Sequence, residues 1–249
     1  MRRIKPIAHE EQLTVVDHLD ELRSRLMVAL AAFLVAFALT TWQSHLVLQI
    51  LNAPLPGNLE PITLGPSEPF VTTLKNSAYA AVLLTLPVLL YELYAFVVPA
   101  FGPRERKLAL PLLLMAPVLF LCGVVFCYLL VLSPALHFLL NFYASEFNTQ
   151  LRASDYYSFA TLTMVATGIG FQVPIGVLVI TRLGVVSVDQ LRHNRRYAIL
   201  AIAVIAALLP TLDPVTLGLE MLPLIALYEL GILLASALAP AGDGEELLA

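Results

Sequence analysis

Long stretches of apolar residues, broken by short polar segments, dominate the chain. Runs of helix-crossing length lie near 26–44, 73–98, 108–132 and 156–181, and shorter ones near 197–210 and 215–237. A bilayer core of about 30 Å asks for roughly 20 apolar residues per helix. The pattern therefore predicts an all-α membrane protein with six transmembrane helices. The run 197–210 is short for a span, which requires a thinned bilayer or helix ends close to water. The turn signal at Asp213-Pro214 separates it from the last run as a tight hairpin. Ahead of the first run, Leu13, Val16, Leu19, Leu22 and Leu26 share one side of a helix, with Asp17, Glu21 and Arg25 at i, i+4, i+8 along another. This predicts an interfacial amphipathic helix. Two outer segments, 45–72 and 133–155, hold enough apolar residues for further helical pieces over the bundle.

Prolines fall inside the runs at Pro87, Pro111, Pro117, Pro174 and Pro223, where each removes a backbone donor and predicts a bend. Several bent helices make a concave wall. No internal repeat divides the chain into halves, so it reads as a single integral domain, 1–249, with a cytoplasmic tail over 240–249.

Cations set the orientation. With the N-terminus inside, 12 of the 14 Lys and Arg fall in or beside three intracellular segments, leaving Lys75 and Arg152 outside. Both termini are then expected in the cytoplasm. Composition agrees with a membrane protein: 59% of residues are hydrophobic and 13% charged, far from an ordinary soluble domain. The formal charge of −4 and the lack of a basic patch argue against a nucleic-acid partner. The polar first 25 residues and the absence of a small-residue cleavage site predict no signal peptide. Cys122 and Cys127, five positions apart, fall on opposite helix faces and read as packing residues.

The chemistry is sparse. Five scattered histidines, no nucleophile elbow, no phosphate loop and no metal-ligand spacing predict neither an enzyme nor a cofactor. What remains is acidic: Glu21 in the amphipathic helix, and Glu105 between Arg104 and Arg106 in the second intracellular segment. Each has a plain reading, a solvated i, i+4 pair with Arg25 for Glu21 and an orientation loop for Glu105. Two carboxylates on one surface also suit a doubly cationic ligand through charge-assisted, two-pronged hydrogen bonds. Glu92, Gln172, Glu220 and Glu229 are polar residues within the spans and should face protein, water or the interface. In 168-GIGFQVPIG-176 small residues permit close helix approach and the Gln172 amide can bond across a helix pair.

Taken together, "HLDELRSRL", "PSEPF", "YELYAFVVPAFGPRER", "FQVPI" and "RRYAI", in this order over about residues 15–235, closely resemble TatC, the multi-spanning receptor of the twin-arginine protein translocase. The resemblance implies binding of twin-arginine signal peptides of folded precursors, with Glu21 and Glu105 receiving the arginines and Phe96 and Arg23 matching other motif positions. It implies export across the cell inner membrane with single-span TatA/TatB-type partner subunits in an oligomeric complex, using the proton-motive force, and no cofactor. It marks Pro54, the segment Pro66 to Phe70 including Glu68, and Asp213 as parts of the outer cap. One departure stands out: Gln172 occupies a position where the family commonly has glutamate, and Glu92 one that is often glutamine. The expectation drawn from this is that Glu92 and Gln172 approach each other inside the concavity. A rival reading is a proton-coupled small-solute transporter using Glu92 and Glu220.

Overall fold

The computed structural model describes residues 15–57, 59–97, 106–142, 144–146, 150–207 and 213–237. The described residues are helical apart from turns and one isolated bridge. Helix α1 runs from Val15 to Trp42 without a glycine or proline to interrupt it, so the amphipathic segment and the first apolar run form one rod. At 1.5 Å per residue its 28 residues span ~42 Å, more than the hydrocarbon needs. Its opening turns carry Glu21 and Arg25, and the apolar run follows them.

After the short helix α2 (Ser44–Asn52), α3 (Glu68–Val97) returns antiparallel to α1 and packs along it. The pair is fastened near the C-terminal end of α1 by two polar side chains. The Thr40 hydroxyl donates to the Ser77 carbonyl at 2.8 Å, and Ser77 donates to the Thr40 carbonyl at 3.4 Å. In lipid no water competes for these groups, so they must satisfy one another. Helix α4 (Arg106–Phe126) passes through a π-helical turn, Cys127–Val131, into α5 (Leu132–Asn141) without a loop. The extra residue of the π-turn re-aims the following side chains; Tyr128 donates from there to the Ile50 carbonyl of α2 at 2.8 Å.

The fourth apolar run is two helices, α6 (Ala153–Gly170) and α7 (Val173–Arg182), broken at Phe171-Gln172. Pro174 is the cause: it cannot donate back to Gly170, and its ring excludes that carbonyl from a regular turn. It sits in the first turn of α7, where a missing N–H costs nothing. The other four prolines lie within α3, α4 and α10 (Pro214–Ala237), which continue through them. Helix α8 (Val188–His193) opens on a capping box between Ser187 and Gln190 and leads to α9 (Arg195–Ala207).

Two glycines carry the closest helix crossing. A Cβ on Gly123 of α4 would lie 2.9 Å from the Gly168 Cα of α6, and one on Gly168 would lie 2.6 Å from the Phe120 ring. Gly231 of α10 meets Pro174 of α7 in the same way, at 3.0 Å. Of the small residues in 168–176, Gly168 and Gly170 are thus used for packing, whereas Gly176 faces open space. Cys127 is buried and Cys122 exposed, both as free thiols. Large aliphatic side chains such as Leu34, Leu39, Leu84, Leu129 and Leu222 lie exposed around the bundle, as a lipid-facing surface requires.

Candidate functional site

Three groups of polar side chains interrupt the apolar body. The first lies where α1 begins and α3 ends. Arg25 donates from Nε and Nη2 to Oε1 of Glu21, at 3.1 and 2.5 Å, and from Nη1 to Oε2 of Glu92, at 2.8 Å. The i, i+4 spacing on α1 makes the first contact and the antiparallel packing of α3 the second. All three side chains are largely shielded, so the pairing is less screened than an exposed one. Arg23, two positions from both Glu21 and Arg25 on α1, is exposed, and Phe96 is half-buried one turn beyond Glu92 on α3. Glu105 lies outside the described residues.

The second group is at mid-depth. Gln172, at the break between α6 and α7, donates its amide to the Ala116 carbonyl of α4 at 3.0 Å. Glu220 of α10 is 1% exposed and accepts from the Thr167 hydroxyl of α6 at 3.4 Å. The expected meeting of Glu92 with Gln172 is therefore not made. Glu92 sits near the end of α3 and is held by Arg25, while Gln172 is spent on a backbone carbonyl of α4. Glu92 and Glu220, the acids of the transporter reading, likewise have separate partners.

The third group closes the opposite end. Glu68, at the start of α3, accepts from the Arg152 Nε at 2.7 Å and from the Leu64 backbone N–H at 2.7 Å. Arg152 precedes α6 and pairs through its backbone neighbours with Ile62: the Ile62 N–H donates to Leu151 and the Ala153 N–H to Ile62, each at 2.8 Å. The carboxylate raises the Arg152 pKa, first by the hydrogen bond and then by its charge. Buried Asp213 caps α10, accepting from the Thr216 N–H at 2.8 Å. Pro54 is half-buried in the turn after α2, Pro66 is exposed in the turn before α3, and Phe70 projects outward from α3's first turn.

An apolar groove of about 420 Å³ lies between α1, α2, α3 and α4, lined by Leu39, Leu46, Ile50, Leu84, Val125 and Tyr128 among others. Neither Glu92 nor Glu220 lines it. Among the described residues no cluster of three His, Cys, Asp or Glu could hold a metal. Among the contacts that the sequence did not predict are the Arg25–Glu92 pair, 67 positions apart, the Arg152–Glu68 pair, and the Arg195–Glu229 pair at 2.8 Å. The local signal was an acid near one span end and arginines near another.

Among the described residues, five helical stretches are long and apolar enough to cross a membrane, and polar side chains pair at two ends of the bundle; together these define a multi-spanning integral membrane protein. Residues 17–223 match the model of the family described as "Sec-independent protein translocase protein (TatC)", and the chain belongs to that family. It is 36% identical to the chloroplastic TATC protein of Pisum sativum, over 88% of this chain and 63% of that protein. It is 32% identical to TatC of Deinococcus radiodurans, covering 88% of this chain and 84% of the relative. For TatC of Aquifex aeolicus the identity is 35%, over 89% and 94%. The chain thus spans less than two thirds of the plant protein's length. A crystal structure of the twin-arginine translocase receptor TatC in a detergent superposes with a TM-score of 0.76 at 36% identity, covering 88% of this chain and 99% of that one. The family is described as a translocase and not as an enzyme.

Proposed function

We propose that the chain is the receptor core of a twin-arginine translocase. It binds twin-arginine signal peptides of folded precursors at its cytoplasmic face and, with single-span TatA/TatB-type subunits, exports them using the proton-motive force. Glu21 and Glu105 receive the two guanidinium groups, with Phe96 and Arg23 beside them. The observation that carries this reading is the Arg25 bridge: it ties the start of α1 to the end of α3, so Glu21 and Phe96 share one end of the bundle. A charge-assisted hydrogen bond contributes about 1.5–3 kcal/mol, enough for two acids to hold cargo reversibly once exposure is discounted.

The topology belongs to the same proposal: six spans, N-in and C-in, in the cell inner membrane. Its support is the distribution of cations and the hairpin order of α9 and α10. The 13 described residues of α9 reach only ~20 Å, and this short pair suits docking of single-span partners. The cap residues Pro54, Pro66, Glu68, Phe70 and Asp213 close the outer face.

The test is crosslinking of a twin-arginine peptide to membranes holding wild type, Glu21→Ala or Glu105→Ala, with a twin-lysine peptide as control. Labelling should fall in both variants and be weak for the lysine peptide. Equal labelling throughout rejects the reading.

A further inference from the structure

Glu21 is already occupied by a guanidinium. The Nε and Nη2 edge of Arg25 lies on Glu21 Oε1, and the remaining nitrogen, Nη1, lies on Glu92 Oε2. Five donors in a rigid fork allow one arginine to serve both acids, and they allow it to release one without losing the other. We propose that Arg25 is a resident stand-in for a cargo arginine, that binding exchanges it on Glu21 for the incoming guanidinium, and that Glu92 retains the displaced Arg25. The inference rests on the receptor reading above and adds Glu92 and Arg25 as determinants of cargo affinity.

Charge decides the direction. In the contacts of Arg25 two carboxylates share one guanidinium, so an arriving arginine gives each acid a guanidinium of its own. With an amide at position 92 the displaced Arg25 would have no carboxylate to receive it, and its release from Glu21 would be opposed. The acid at this position therefore makes the exchange favourable. Partial burial strengthens the effect, since Glu92 and Arg25 are 18% and 23% exposed. Release of Glu21 leaves the helix pair intact, because Arg25 stays on Glu92 and the Thr40–Ser77 bonds persist further along. A lysine in the cargo is a point charge without the two-nitrogen edge and displaces Arg25 poorly.

The experiment measures binding of a fluorescent twin-arginine peptide to the purified full chain in lipid nanodiscs. Glu92→Gln should weaken binding about tenfold, because Arg25 then has only Glu21 to hold and competes harder. Arg25→Gln should tighten it a few-fold, and Arg25→Gln with Glu92→Gln should recover most of the loss. Since Arg25→Gln also unties α1 from α3, Arg25→Lys is the second variant: it keeps a charge beside Glu92 but cannot span both acids, and should bind more tightly than wild type. Wild-type affinity in Glu92→Gln, or a double variant as weak as Glu92→Gln, overturns the exchange, as does weakened binding in both Arg25 variants. Glu21→Ala separates the two ideas. If it binds as wild type does, the receptor reading falls; if it loses binding while Glu92→Gln does not, only the exchange falls.

Discussion

Gly123→Ala adds one methyl group where α4 crosses α6, and the structure sets its cost. The new Cβ would lie 2.8 Å from Phe171 Cγ and 2.9 Å from the Gly168 Cα, against ordinary contact at 3.4 Å or more. Rotating Phe171 could relieve the first clash; the second is with backbone and is relieved only by parting the helices by about half an ångström. Phe120, fully buried against the same crossing, would lose contact as they part. Overpacking of this kind costs about 1–3 kcal/mol, and the gain in helix propensity from alanine returns up to about 1. The net loss should lower the apparent melting temperature of the detergent-solubilised protein by several degrees, at about 2–4 °C per kcal/mol. Gly176→Ala is the matched control: nothing lies within 4 Å of its new Cβ, so propensity alone acts and stability should hold or rise. A Gly123→Ala protein that melts with the wild type, or a Gly176→Ala protein that falls as far, refutes the claim that backbone proximity at this crossing supports the fold.

Asp213→Ala removes the carboxylate that accepts the Thr216 N–H and should destabilise α10 by about 1 kcal/mol, whereas Asp213→Asn keeps an acceptor and should lose less; thermal unfolding of the two variants side by side measures the difference. Arg152→Ala unties Glu68, whose other oxygen still holds Leu64, so the segment 59–67 should be cleaved faster by a protease added to the outer face, while binding of a twin-arginine peptide at the other end stays the same. Protection equal to wild type would show that the Ile62 bridge alone holds the cap.

The helices could be placed from hydrophobic runs because lipid demands long apolar segments with every backbone bond closed internally. Asp213-Pro214 was legible as a turn signal; that the acid also caps α10 came from the structure. The Glu21–Arg25 contact followed from i, i+4 spacing. The destination of Glu92 was not local. Its partner is set by which turn of α1 lies against the end of α3, and no spacing along one helix encodes that register. The break at Phe171-Gln172 illustrates the same limit: proline marks a disturbance, but α3, α4 and α10 continue through theirs while the fourth run stops, and no spacing along the chain separates the two outcomes.

By itself, the sequence determined the class of protein, an all-helical membrane protein, and the acidic and basic residues beside its apolar runs, because these follow from periodicity and the exclusion of charge from lipid. Only the tertiary structure decided that Arg25 joins Glu21 to Glu92, that Gln172 bonds a backbone carbonyl rather than an acid, and that Glu220 is enclosed beside Thr167. Those pairings join residues up to 67 positions apart, and only the packing of one helix against another brings such groups within bonding distance.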